Sequence, residues 1–350
     1  MEWWQQPCKQ VDDNFTINAE QRQQQLTKPA GSLGVLETLA IRLAGLQGTD
    51  TPRADKVHIS IFAGDHGVAV EGVSAFPQAV TAQMVHNFLQ GGAAISVLAK
   101  QLQAKLEIID TGIVAPLPDQ PGLIVHRAGA GTANSSIEAA MTPKQLEIAL
   151  QAGHDAADRA AAQQADLFIG GEMGIGNTTA ATALYCALLQ QPPPILTGAG
   201  TGLNEQGIEH KIAVLDSILF KHKQCGTDAM EWLRCVGGFE VAALTGAYLR
   251  AAQCGIPILL DGFITTAAAL VALRIQPDIA PWLFLSHVSS EQGHPFVLEA
   301  LNQQALLNLD MRLGEGSGAA VAVNLFRSAC YLHNDMATFE EAAVTGKLES

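Results

Sequence analysis

The sequence predicts an α/β fold built on a doubly wound parallel sheet, and three observations predict it. Short β-rich runs alternate with longer helical stretches along most of the chain. The runs are apolar almost throughout rather than every second residue, as in strands buried on both faces. Of the 350 residues, 48% are apolar and only 5% aromatic, with 33 glycines, so small side chains are available to seat helices close on a sheet.

The elements follow in order. Residues 1–25 are polar and glutamine-rich and read as an arm or short helix. Gly31-Ser32 opens a helical pattern in which Leu36, Leu39, Ala40 and Leu43 share one apolar face. Strand-like runs then fall at Val57–Ala63, Leu106–Asp110, Leu123–His126, Asp166–Gly170, Ile256–Leu260 and Trp282–Leu285. Helical stretches cover 78–103, 143–163, 178–190, 205–222, 240–253, 264–274 and 317–334, with 190–194 a loop. This is the rhythm of a parallel sheet with crossover helices. The first and last helices can pair into a smaller lobe. The division is 1–50 for the N-terminal arm and helix, 51–310 for the large α/β domain, and 311–350 for a glycine-rich loop with the C-terminal helix.

Composition excludes several functions. With 20 Lys+Arg against 34 Asp+Glu the formal charge is −14, which offers no electrostatic footprint for nucleic acid or an anionic membrane. An anionic small molecule is still admissible, because helix N-termini and a few local cations can bind one phosphate. The longest apolar stretch, near 267–273, is too short to span a bilayer. The N-terminus has no signal-peptide pattern. Six scattered cysteines without a C-x-x-C pair signal neither a zinc site nor a disulfide framework, and fit a reducing cytoplasm.

In a parallel sheet, ligands sit beyond the carboxyl ends of the strands, so the residues after each run are the candidates. Gly64-Asp65-His66-Gly67 follows the first and reads as a substrate-facing turn or as a tight turn capped by Asp65. Gly171-Glu172-Met173-Gly174-Ile175-Gly176-Asn177-Thr178 follows the fourth and leads into a helix. Backbone amides and a helix dipole there make an anion cradle, although the G-K-[ST] ending of a P-loop is missing. Glu172 is awkward beside a phosphate unless it has another task. Thr197–Leu203, a second glycine run, precedes a helix carrying Lys211. Asp261 ends the fifth run, and Ser286-His287-Val288-Ser289 follows the sixth. G-x-S-x-G is absent, which argues against a hydrolytic triad. Last comes Arg312-Leu313-Gly314-Glu315-Gly316-Ser317-Gly318, where glycines leave Glu315 open to a flat ring. Read alone, this is equally an ordinary helix start with an acid in its first turn.

Taken together, Lys28–Gly34, Asp65–Val68, Gly171–Gly174 with Asn177-Thr178-Thr179, Val236–Phe239, Leu259–Phe263 and Met311–Gly318 resemble the nicotinate-nucleotide:dimethylbenzimidazole phosphoribosyltransferase family of cobalamin lower-ligand assembly. The six blocks run in register from about residue 20 to 335. The resemblance implies a homodimer with a Rossmann-like sheet and a small helical lobe from both chain ends. It implies nicotinate mononucleotide and 5,6-dimethylbenzimidazole as substrates, with no metal or organic cofactor. Glu315 would be the catalytic base and Glu172 would face the ribose. Gly174, Gly176, Asn177 and Thr178 would hold the phosphate, with Lys211 near the nucleotide and Arg312 a further anion partner. Ser289 and Leu313 would border the benzimidazole, and Phe76, Met84, Met173 and Leu313 would wall its slot. Family members often carry a small polar residue at the position of Phe76 and Gln at that of Met84, so the accepted base is open to other benzimidazoles, purines or phenols.

Two other classes compete with this reading. A dinucleotide-dependent oxidoreductase would need a glycine fingerprint after the first strand, where Gly-Asp-His-Gly stands instead. A non-catalytic nucleotide or benzimidazole carrier could use the same glycine turns, and release of nicotinate separates it from an enzyme.

Overall fold

The computed structural model describes residues 2–200 and 202–345, so Thr201 of the second glycine run and the last residues of the tail lie outside the described residues. Six parallel strands form one sheet: β1 (Val57–Gly64), β2 (Lys105–Gly112), β3 (Leu123–Val125), β4 (Leu167–Met173), β5 (Ile258–Leu260) and β6 (Leu283–Leu285), in the order β3-β2-β1-β4-β5-β6. Chain order reverses between β1 and β4, and a doubly wound sheet has its ligand crevice at that switch point. Every residue of β1 is buried, which accounts for its unbroken apolar run.

Helices cover both faces. They are α1 (Asp13–Gln25), α2 (Val35–Gln47), α3 (Ala79–Gln90), α4 (Ala94–Leu102), α5 (Pro143–Ala162), α6 (Asn177–Leu189), α7 (Pro193–Leu196), α8 (Glu205–Lys221), α9 (Ala229–Val236), α10 (Phe239–Cys254), α11 (Phe263–Ile275), α12 (His294–Ala300) and α13 (Ser317–Asp335). Helix α5 starts with a capping box between Thr142 and Gln145 and Pro143 in its first turn. The chain ends meet. Helix α2 packs on α1 and α13, Leu26 bridges Thr338, and Arg22 donates to the carbonyls of His333 and Asn334 at 2.7 and 2.9 Å. Among the described residues no helix is long and apolar enough to cross a membrane.

Several expected boundaries move. The stretch 78–103 is two helices, because Gly91 closes α3 in the left-handed region at φ 79°. The loop at 190–194 begins the single turn α7, and the polar N-terminal arm contains α1, capped by Asp12 on the Asn14 amide. Strand β4 runs on through Glu172 and Met173, so the glycine turn is only Gly174–Gly176. Gly170 and Gly171 belong to the strand because neighbours press on it. A Cβ at Gly171 would lie 2.4 Å from the Glu315 carbonyl oxygen.

Candidate active site

The strand ends at the switch point open into one cavity of about 640 Å³. Of the residues expected in a site, Phe76, Met84, Glu172, Met173, Gly174, Asn177, Thr178, Ser289, Arg312, Leu313 and Glu315 line it. Gly176 lies just behind, at φ 100°, as the N-terminal cap of α6, and Lys211 is buried one layer deeper. Phe76 and Leu313 stand at the mouth, 52% and 59% exposed, while Glu172 and Glu315 sit on the buried floor.

The floor is acidic. Glu172, Asp261, Glu291 and Glu315 all border the cavity, with Arg312 the one Lys or Arg among its described lining residues. Burial, with the nearby carboxylates of Glu240, Asp261 and Glu315, pushes Glu172 up to about 8, although the Glu315 amide donates to it. At neutral pH Glu172 therefore carries a proton for most of the time. It also accepts from the Asn177 side-chain amide. Burial raises the Glu315 carboxyl above the ordinary range, Asp261 adds to this, and the Ile95 amide donates to Oε2 at 3.3 Å and opposes it. A carboxyl raised in this way is closer to the working pH of a general base.

On the opposite wall, α6 begins at Gly176 and so has no side-chain cap of its own. Asn177 and Thr178 of its first turn line the cavity; the Asn177 amide donates to the Gly174 carbonyl at 3.1 Å, and the positive end of the helix dipole there suits an anion. Lys211 Nζ donates to Thr178 Oγ1 at 2.9 Å. Burial brings this ammonium down to about 8, and Glu291 acts to hold it up.

The turn before α6 rests on the Asp-His pair that follows β1. The His66 ring lies against Gly174 and Gly176, and its Nε2 is 2.5 Å from Glu240 Oε1. Burial alone would push His66 down, but the Glu240 and Asp65 carboxyls raise it. Thr81 Oγ1 accepts from the Ile175 amide at 3.1 Å, and Thr81 is hydrogen-bonded to Asp65. Asp65 and His66 thus support the turn from beneath rather than meeting a substrate. Glu240, His287 and Glu291 were absent from the expected site. Of these, only His287 carried a sequence signal, its place after a strand end. Elsewhere Cys225, Glu231 and Cys235 approach one another within metal-ligand range, but Arg234 already donates to Glu231 and Cys235 there.

A doubly wound sheet whose switch-point cavity pairs an uncapped helix N-terminus with buried carboxyls is suited to moving a group attached to a phosphate-bearing sugar. Residues 8–344 match the phosphoribosyltransferase family, and the chain belongs to it. Among its relatives, the nicotinate-nucleotide–dimethylbenzimidazole phosphoribosyltransferase of Pseudomonas fluorescens (strain SBW25) is 59% identical over 345 residues, covering 99% of this chain and 98% of the relative. The protein of the same name from Pseudomonas savastanoi pv. phaseolicola (strain 1448A / Race 6) is 57% identical over the same shares. A crystal structure of the Thermus thermophilus enzyme of that name superposes with a TM-score of 0.91 at 45% identity, covering 96% of this chain and 100% of that one.

Proposed function

We propose that the protein transfers the 5-phosphoribosyl group of nicotinate mononucleotide to 5,6-dimethylbenzimidazole, giving α-ribazole 5′-phosphate and nicotinate for the cobalamin lower ligand. The observation that carries this is the pairing, across one cavity, of buried Glu315 with the uncapped start of α6. The phosphate would bind the amides of Gly174 and Gly176 with Asn177 and Thr178, and Lys211 would supply charge through Thr178. The ribose would face Glu172.

The chemistry balances without an added cofactor. The pyridinium nitrogen is already cationic, so the C1′–N bond breaks with its electron pair passing to nicotinate. A benzimidazole nitrogen lone pair forms the new bond at C1′ from the opposite face, turning β into α. The proton on the other benzimidazole nitrogen becomes acidic as attack proceeds, and Glu315 takes it. Positive charge developing at C1′ is favoured by those carboxyls of the floor that are ionised, and fixed groups do this without reorganising at the moment of reaction. Holding both substrates in line supplies much of the remaining rate.

Phe76, Met84, Met173 and Leu313 would wall the base slot, with Ser289 at its border and Arg312 as a second anion contact. An apolar slot of this kind suits a flat methylated ring and also admits other aromatic bases. This reading takes the protein as a cytoplasmic homodimer, divided at 1–50, 51–310 and 311–350.

Incubation with nicotinate mononucleotide and a panel of benzimidazoles, purines and phenols, read by mass, tests the assignment. Nicotinate release with α-ribazole 5′-phosphate formed from dimethylbenzimidazole is expected. Binding of both ligands with no nicotinate released from any base would make the protein a carrier. Replacing Lys211 with Met should raise KM for nicotinate mononucleotide about ten- to a hundredfold and leave kcat within about threefold, since one charge-assisted contact is worth about 1.5–3 kcal/mol. Initial rates with the dimethylbenzimidazole concentration held saturating read that split.

A further inference from the structure

Glu315 occupies a conformation that its own segment does not enforce. Its φ is 65°, between Gly314 at 87° and Gly316 at 86°. For a residue with a Cβ the left-handed region is uncommon, and it persists where the surroundings hold it. Gly316, the N-terminal cap of α13, has no side chain to satisfy the first amides of that helix. Asp261, which follows β5, does so instead. Its Oδ2 accepts from the Gly316 amide at 3.2 Å and its Oδ1 from the Ala319 amide at 3.0 Å. Asp261 is 1% exposed. With both oxygens facing N–H donors at the positive end of a helix, it is the carboxylate form that fits. Thus α6 and α13 both start at a glycine. The first has no side-chain cap, whereas the second is stoppered by the acid that follows β5.

We propose that Asp261 is the positioning residue for Glu315: by capping α13 from β5 it fixes the backbone that aims the Glu315 carboxyl into the cavity. This inference rests on the reading of Glu315 as the base. Burial raises the Asp261 carboxyl, while His287 and the Ala319, Gly318 and Gly316 amides act to lower it, and Asp261 in turn helps to keep the Glu315 carboxyl above the ordinary range. The other titratable groups lining the cavity with Glu315 are Glu172 on β4, Glu291, Arg312 on its own loop, and His287, whose Nδ1 is 4.0 Å from Asp261 Oδ1.

The test is Asp261→Asn, which keeps the shape but loses the charge and turns one acceptor into a donor facing an amide. Expected are a fall in kcat of at least tenfold, KM for nicotinate mononucleotide within about threefold, and faster hydrogen exchange at the Gly316 and Ala319 amides. The acid limb of the kcat profile should also move to lower pH by at least half a unit, because removing a neighbouring negative charge lowers the pKa of Glu315. A purely structural loss would cut activity without moving that limb, and an unmoved limb overturns the proposal. If Asp261→Asn does not fold, a crystal structure of the unaltered protein decides. Asp261 oxygens within hydrogen-bonding reach of both amides uphold the cap, and their separation overturns it. Should Glu315→Gln keep full turnover, the base reading itself has failed. Should Glu315→Gln be inactive while Asp261→Asn keeps kcat and its acid limb, only the positioning role falls.

Discussion

Replacing Glu315 with Gln should lower kcat by about two to four orders of magnitude, the usual contribution of a positioned general base, equivalent to roughly 3–5 kcal/mol of barrier. Binding of nicotinate mononucleotide should stay within a few-fold, because the phosphate and ribose contacts proposed above come from other residues, on β4, the Gly174–Gly176 turn, α6 and α8. Gln matches Glu in size and has the same backbone preferences, so the left-handed turn at φ 65° is not further strained. Its amide oxygen can keep the contact from Ile95 but cannot carry away a proton. Glu172 is a poor stand-in, since with its carboxyl near 8 it is mostly protonated at neutral pH. In the unaltered enzyme, activity should fall on the acid side as Glu315 itself takes up a proton. That limb should lie above the ordinary carboxylate value, because burial raises the group. Single-turnover measurement of nicotinate release reads the chemical step directly. A variant with unchanged single-turnover rate would remove Glu315 from the proton transfer.

Much of the sheet was legible because strands buried on both faces leave unbroken apolar runs. All six runs correspond to strands, within a few residues at either end. Their order across the sheet was not legible, since it depends on contacts between distant segments. The misreadings have local causes. Gly171 looks like the start of a turn in sequence, and only the close approach of the Glu315 carbonyl explains why it is strand. Gly91 breaks a stretch whose apolar pattern continues on either side. Helix α9 is eight residues long, too short for a periodic signal, and α12 opens on His-Pro. At the site, Glu172 and Glu315 drew notice as acids set among glycines. Asp261 was visible as an acid at a strand end, but its contact with the Gly316 and Ala319 amides spans 55 and 58 residues of chain. No pattern of spacing reveals a cap lent from so far away.

The largest expected effect on stability comes from Gly153, in the middle of α5. In an isolated helix, Gly to Ala is favourable by about 1 kcal/mol. Here Gly153→Ala should instead destabilise by about 3 kcal/mol or more, at the upper end of overpacking costs. The reason is the crossing of α5 on α10, the most extensive contact between elements among the described residues. A Cβ at Gly153 would lie 1.8 Å from the Ala243 carbonyl oxygen and 2.6 Å from the Ala247 amide nitrogen. The reciprocal contact is as tight, with a Cβ at Gly246 only 2.3 Å from the Leu150 carbonyl oxygen. Both obstacles are backbone, which cannot swing aside as a side chain can, so the helices must separate. Separation opens gaps along the buried alanines Ala149, Ala156, Ala243 and Ala247, and a close-packed interior loses contact energy for each gap. At roughly 2 °C per kcal/mol for a chain of this size, the melting temperature should fall by about 5 °C or more. The displacement should also reach the cavity. Glu240 lies in the first turn of α10 and holds His66 under Gly174 and Gly176, so nucleotide binding should weaken in protein that is still folded. Thermal melts paired with KM measured well below the transition separate the two effects. A Gly153→Ala protein melting at or above the parent temperature would mean that the two helices do not cross this closely.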